Sequence, residues 1–257
     1  MLKERADEKI IRKYLSDYAT GIKIDTVDII DSTNEEMKRR ARMGEGEISL
    51  LVAEEQISGK GTKGRSFFSP DGTGIYMSLL LRPTYTPEQC TFLTTMAAVS
   101  VARAVEKVTG IMLQIKWVND LYLDGKKVGG ILTQAHLSEN GKAVEWAVVG
   151  IGINLSEPEG GFPEELKEIA TALGEKNIQI KNRLISETVN EFILYYRSLM
   201  KKEFIDEYSK RLMGLNEEIT VKEGEEEFKG TVIGIDDKFL LKIRLPDGSE
   251  KILNSAL

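Results

Sequence analysis

Apolar positions near the start of the chain recur at helical spacing. Between residues 3 and 20, Ile10, Ile11, Tyr14, Leu15 and Tyr18 stand among charged positions and Gly21 offers a stop, which predicts one amphipathic helix. Residues 22–30 switch to the alternation of a strand. Ser32 then sits three residues before Glu35, the spacing of a capping box, and predicts a helix that ends at Gly44. Strands are expected at about 48–54 and 74–82, flanking a glycine-rich loop. Residues 88–109 carry few polar interruptions and end at Gly110, the pattern of a largely buried helix. Residues 112–118, 121–123, 128–136 and 143–155 read as strands joined by the turn pairs Asp124-Gly125 and Asn140-Gly141, and two or three helices fill 163–213. After Gly214 the chain breaks into short alternating runs, about 217–222, 227–235, 239–245 and 249–253. Their turn signals are Gly224, Asp236-Asp237 and Asp247-Gly248. This texture predicts a small barrel of SH3-like size and divides the chain into residues 1–213 and 214–257.

Composition narrows the function classes. With 257 residues, 41% hydrophobic and 30% charged, the chain can bury a sizeable core and is neither disordered nor fibrous. One cysteine, Cys90, rules out an internal disulfide framework and points to a reducing compartment. No apolar run approaches the roughly 18 residues of a membrane helix, and the polar start gives no signal peptide, so a cytoplasmic protein is expected. The net charge of −6 gives no general support to binding of nucleic acid or anionic membrane. The segment 215–257 holds ten acidic against six basic side chains. Against this background residues 58–65 are anomalous, with Lys60, Lys63 and Arg65 and no anion.

The loop Gly59-Lys60-Gly61-Thr62-Lys63-Gly64-Arg65 combines cations with glycines that let backbone N–H groups approach a ligand, as a phosphate cradle requires. It lacks the Walker spacing. A flexible solvated loop is the competing reading. Ser69-Pro70-Asp71-Gly72-Thr73-Gly74 prolongs the irregular connection. Lys116-Trp117-Val118-Asn119-Asp120 lies where a strand meets a turn, with Lys127 across the next hairpin. Two strands meeting this way present both lysines and Asp120 on one face, or simply form a surface salt bridge. Gly129-Gly130 inside a strand signals a bulge or the close approach of a ligand, and Gly150-Ile151-Gly152-Ile153-Asn154 repeats the oddity, which suggests a slot shared by two strands. His136, the only histidine, has no histidine or cysteine partner, so no protein metal site is expected. Cys90 reads as a packed thiol, and Ser32, Thr33 and Asn34 first as helix-cap residues.

Taken in order, Asp31-Ser32-Thr33-Asn34, Gln56, the loop from Gly59 to Arg65, Ser69-Pro70, Lys116 to Asp120, Lys127-Val128-Gly129-Gly130-Ile131-Leu132 and Gly150 to Asn154 resemble the motif set of biotin protein ligases, also called biotin–[acetyl-CoA-carboxylase] ligases. The resemblance runs from about residue 24 to 257. It implies an α+β fold, with a mixed-sheet catalytic domain related to class II aminoacyl-tRNA synthetases and lipoate ligases, plus the C-terminal SH3-like domain. It also implies a two-step reaction. Biotin is activated by ATP with Mg²⁺ as biotinyl-5′-AMP, and the biotinyl group then passes to a lysine of a biotin carboxyl carrier domain.

By the same resemblance Lys127, Arg65 and Asp120 are the catalytic candidates, with Asp120 positioning or helping to deprotonate the incoming amine. Ser32, Thr33, Asn34, Gln56, Gly59, Lys60, Gly61, Lys127, Gly129 and Gly130 are the biotin candidates. Lys60, Thr62, Lys63, Arg65, Phe67, Lys116, Asn119 and Asn154 are the ATP candidates. The chain departs from the family loop G-R-G-R-x-G-R at Lys60 and Thr62, and from the usual tryptophan at Phe67. The alternatives are a lipoate–protein ligase of the same fold and a nucleic-acid-binding module. A biotin-sensing repressor is disfavoured, because the roughly 30 residues before Ser32 hold one helix, too few for a winged helix-turn-helix; no DNA or membrane partner is expected. The resemblance leaves room for a homodimer.

Overall fold

The computed structural model describes residues 4–174, 180–198, 203–223 and 226–253. Seven strands form one mixed sheet: β1 (Lys23–Ile30), β2 (Ser49–Gln56), β3 (Gly74–Leu81), β4 (Gln114–Lys116), β5 (Asp120–Leu123), β6 (Lys126–Leu137) and β7 (Val144–Asn154), in the spatial order β1-β2-β3-β7-β6-β5-β4. Only β1 and β2 run parallel, because helix α2 (Thr33–Arg42) carries the chain back between them. The central strands β2 and β3 are almost wholly buried, which explains their continuous apolar runs.

Two buried clusters record the layers. The large one joins Leu50, Val52, Met77, Leu79, Val149 and Ile151 to the helices α4 (Phe92–Thr109) and α5 (Lys181–Arg197). The small one sets Met37 and Ala41 of α2 against Leu51, Leu80, Trp146 and Val148 on the other face. Helix α4 is preceded by the short α3 (Pro87–Cys90) and ends at Gly110 in the left-handed region, as expected. Asp124 and Gly125 both take positive φ in the tight β5–β6 turn. The Asn140-Gly141 pair lies in a longer connection, closed by Ser138 N–H on Ala143 O at 2.9 Å.

Two sequence expectations are corrected here. The helix expected over 3–20 is only α1 (Glu8–Tyr14), capped by the Asp7 carboxylate and followed by a single tight turn at Asp17–Ala19. Its end is set from outside, since Asn190 of α5 donates to Tyr14 O at 2.9 Å and accepts from Ser16 N at 2.8 Å. One turn apart on the same helix face, Ser186 donates to Ile11 O and Asn182 bonds Arg5 O and Asp7 N, so α5 straps down the chain from Arg5 to Ser16. Beside that strap lies a buried ion pair, Lys181 Nζ to Glu54 Oε2 at 2.6 Å, with both side chains at most 4% exposed. The second correction concerns the capping box. Ser32 occupies the N-cap position with no side-chain cap bond, and Glu35 pairs with Lys38 instead.

Among the described residues the 163–213 region supplies two helices, α5 and α6 (Phe204–Arg211). The C-terminal unit is an antiparallel sheet of β8 (Glu218–Glu223), β9 (Glu226–Ile235), β10 (Leu241–Arg244) and β11 (Glu250–Leu253) in meander order; the turn signal at Gly224 lies outside the described residues. This sheet plugs into the main body through Phe239, whose ring packs 5.1–5.6 Å from those of Phe92, Phe204 and Tyr208 and whose carbonyl accepts from Trp117 Nε1 at 2.7 Å.

Candidate active site

Residues directly opposite one another on neighbouring strands share a face, so strand register places side chains together. On the α2 side of the sheet one such row runs Tyr76, Gly152, Gly130, Asp120, Lys116 across β3, β7, β6, β5 and β4. The next row holds Ser78, Gly150 and Leu132. Lys127 stands three residues from Gly130 and would point the other way by simple alternation. A register shift places it opposite Tyr122, leaves the buried Val128 as the extra residue of a bulge, and so brings Lys127 onto this face. Its Nζ lies 2.6 Å from Asp120 Oδ1, in a pair that is partly exposed. Asn119 Nδ2 holds the same Asp120 oxygen at 3.1 Å and Ile131 O at 3.0 Å. A Cβ at Gly130 would stand 3.4 Å from both Lys127 Nζ and Asp120 Oδ1, so glycine leaves this corner open.

The paired glycines of β7 line the cleft together with Gly130 of β6, as the slot shared by two strands requires, and they also make room for neighbouring side chains. A Cβ at Gly150 would lie 2.0 Å from Asn34 Oδ1, and one at Gly152 would lie 2.6 Å from the Phe67 ring. Side chains from α2 and the glycine-rich loop fill those spaces. Around them runs a polar network. Thr33 bonds Gln56 Oε1 through both its N–H (2.9 Å) and its hydroxyl (3.1 Å), and Gln56 Nε2 donates to Ser69 Oγ at 3.0 Å. Ser78 Oγ lies 2.6 Å from Asn34 Oδ1. The Ser32 hydroxyl is fully buried and has no hydrogen-bond partner. At the entry to α2, Arg39 grips the Asp31 carboxylate and holds its pKa down to about 2.

The glycine-rich loop closes on itself. Gly61 N–H donates to Arg65 O at 2.7 Å and Phe67 N–H to Gly59 O at 2.9 Å, while the tip turns through Lys63 and Gly64 at positive φ. Arg65 is folded back onto Thr62, with Nη2 3.1 Å from its hydroxyl. At Gly59 a Cβ would meet Phe67 O at 2.3 Å, so only glycine lets the two sides of the loop approach.

These parts enclose a cleft of about 290 Å³. Of the sequence candidates, Ser32, Thr33, Asn34, Gln56, Lys60, Gly61, Thr62, Arg65, Phe67, Lys116, Asn119, Asp120, Lys127, Gly130 and Asn154 line it. Gly59, Lys63 and Gly129 do not. Gly59 is packed inside the loop, Lys63 is exposed at its tip, and Gly129 is buried against the Gly152 carbonyl. The sequence reading missed a whole wall made by Phe162, Leu166, Ile169 and Ala170. Their apolar spacing is visible in the sequence but reads as helix packing. In the fold this segment pairs alongside the bulge, with Lys127 N–H on Ile169 O and Thr171 N–H on Lys127 O, both 2.8 Å. Asn154 Nδ2 supports it through Thr171 O at 2.9 Å. Two bland readings stand. His136 is an exposed ring stacked on Trp146, and burial raises the Cys90 thiol to about 11.

Residues 27–154 match the Biotin/lipoate A/B protein ligase family, and residues 214–256 the Biotin protein ligase C terminal domain. The chain is 32% identical over 256 residues to the bifunctional ligase/repressor BirA of Bacillus spizizenii, covering 98% of this chain and 78% of that protein. It belongs to the biotin protein ligase family. A biotin–[acetyl-CoA-carboxylase] ligase of Paracoccus denitrificans is 31% identical to this ligase over 230 residues, or 86% of the chain and 94% of that protein. The Aquifex aeolicus biotin protein ligase, solved with biotin and ATP, superimposes with a TM-score of 0.74 at 28% identity, over 91% of this chain and 96% of that one. The mixed α+β architecture with its small C-terminal antiparallel sheet is the family fold.

Proposed function

We propose that the cleft joins biotin to AMP and then hands the biotinyl group to a lysine of a carboxyl carrier domain, as the names of the relatives lead one to expect. The observation that carries biotin over lipoate is the polar inner end. There the buried Ser32 hydroxyl is unpaired and Gln56 Nε2, with one N–H given to Ser69, keeps a second. A buried end of this kind is costly unless the ligand supplies hydrogen bonds, which a cyclic urea does and a dithiolane does not. Ser32, Thr33 and Gln56 take the ureido ring, and Gly61, Lys60 and Gly130 flank the body of the substrate.

In the first step a carboxylate oxygen attacks the α-phosphorus, and the bond to the β-phosphate breaks to release pyrophosphate. Two anions must meet, and fixed cations offset their repulsion. Lys127, turned inward by the bulge, exchanges Asp120 for the reacting carboxylate and α-phosphate. Arg65, Lys60 and Lys116 face the remaining phosphates, and Asn154 and Phe67 the nucleotide. In the second step the lysine nitrogen attacks the acyl carbon, AMP leaves, and Asp120, freed by Lys127, takes the amine proton. Among the described residues no cluster of three or more His, Cys, Asp or Glu would hold a metal ion, so Mg²⁺ is taken to arrive on the triphosphate and no step is assigned to it. Residues 1–213 perform this chemistry, and the unit 214–257, locked on by Phe239, completes the enzyme beside the Lys116–Asp120 strands. No helix among the described residues is long and apolar enough to cross a membrane, and a cytoplasmic setting agrees with the single, buried Cys90.

Pyrophosphate release from ATP, with biotin or lipoate supplied separately, tests the reading. Release with biotin and little with lipoate is expected; the reverse preference, or release with neither, overturns it.

A further inference from the structure

Asn34 has no donor left for a substrate. Its Nδ2 group gives one hydrogen to Leu132 O at 3.2 Å and the other to Gln134 Oε1 at 3.3 Å, both on β6. These acceptors fix which way the amide points, so that Oδ1 faces Ser78 Oγ at 2.6 Å. Asn34 and Ser78 are buried, and a Cβ at Gly150 would stand 2.0 Å from Asn34 Oδ1, so the amide is held in place while its two acceptors on β6 set its direction.

The orientation propagates through single protons. Ser78 has one hydroxyl proton and two neighbours, Asn34 Oδ1 and, at 2.8 Å, Thr33 Oγ1. A carbonyl oxygen cannot donate, so with Asn34 held this way the Ser78 proton goes to it, and Thr33 is free to direct its own proton at Ser78. Gln56 Oε1 accepts the Thr33 N–H and, at 3.1 Å, the Thr33 hydroxyl, so a Thr33 proton turned to Ser78 opens one of those two lone pairs to the cleft, beside the spare N–H of Gln56 Nε2. With the Asn34 amide reversed, Ser78 would donate to Thr33 and Thr33 to Gln56 Oε1, using up that lone pair.

We infer that Asn34 and Gln134 are positioning residues that preset the donor and acceptor order of the headgroup end, with Gln134 acting from outside the ligand's reach. Neither touches the reacting atoms. The inference rests on the biotin reading, because only a headgroup carrying N–H and C=O side by side would sense the order.

Gln134 is partly exposed near the end of a hairpin, so substitutions there leave the core intact. Gln134→Leu removes the acceptor, whereas Gln134→Glu keeps it. Steady-state kinetics should show Gln134→Leu raising the KM for biotin about tenfold, the scale of one neutral hydrogen bond, with kcat and the KM for ATP within roughly twofold of wild type. Gln134→Glu should restore the biotin KM, and thermal melts of both variants should match wild type. An unchanged biotin KM in Gln134→Leu, an equal rise in the ATP KM, or failure of Gln134→Glu to restore binding overturns the inference while the functional reading stands. Wild-type enzyme that releases no pyrophosphate with biotin overturns the functional reading, and the inference with it.

Discussion

On β7 the residues facing α4 and α5 are Val149, Ile151 and Ile153, whereas those facing the other way run Trp146, Val148, Gly150, Gly152 and Asn154. The first set is an uninterrupted apolar wall. The second starts as core under α2, shrinks to glycine where Asn34 and Phe67 insert, and ends as a polar group in the cleft. One strand therefore serves stability on one side and chemistry on the other. The contrast extends to charge. The helix-covered side hides the Lys181–Glu54 pair from water, while the cleft side keeps Lys127–Asp120 partly hydrated and able to part. A buried pair is costly to break and a half-exposed one is cheap, so the two lysines should report opposite things when removed.

The largest effect is expected at Lys181. Lys181→Met strands the Glu54 carboxylate in the core and should cost about 3–5 kcal/mol in urea unfolding, with pyrophosphate release per folded molecule retained. Adding Glu54→Leu to that variant should recover much of the loss; a single variant that unfolds like wild type would remove the distinction between the faces. Next comes Lys127→Ala, which should slow adenylate formation by about 3–4 kcal/mol of activation free energy, on the scale of losing an oxyanion-hole donor. Unfolding should move by about 1 kcal/mol or less, and transfer from preformed biotinyl-5′-AMP should partly survive. Near-normal pyrophosphate release would show that Lys127 is misassigned. The smallest effect lies at the edge between the faces, at Asp31. Its pKa falls from an ordinary 3.8 to about 2 in the folded protein, chiefly through the Arg39 hydrogen bonds. A depressed carboxyl stabilises the fold above the unfolded value and ceases to do so as pH falls through the folded one, so the contribution is complete above about pH 4 and gone near pH 2. With the Asp31 side chain 46% exposed, solvent screening keeps it small. NMR titration should place the carboxyl midpoint near 2 and return it towards 3.8 in Arg39→Gln; a wild-type midpoint already near 3.8 would mean the pair does not persist in solution.

Much of this protein was legible in the order of its residues. Alternation located the strands, Gly110 and Asp124-Gly125 marked real turns, and the cationic glycine loop and the Lys116–Asp120 segment both reached the cleft. Those features are local, since a turn or an alternating strand is decided within a few residues. The misses share a different cause. Ser32 carries the capping-box spacing, yet in the fold it lines the cleft and its buried hydroxyl caps nothing. Gly150 and Gly152 line the cleft as a slot in the sequence suggests, but only the docking of α2 and the glycine loop shows that Asn34 and Phe67 share the space. Residues 162–170 keep helical spacing but bond to the bulge at Lys127. Helix α1 ends where Asn190, 176 residues away from Tyr14, claims its last carbonyl. Each turns on which distant group satisfies a buried polar atom or fills a space. Pattern along one chain segment cannot specify that, because desolvation and close packing act between segments that meet only in the folded protein.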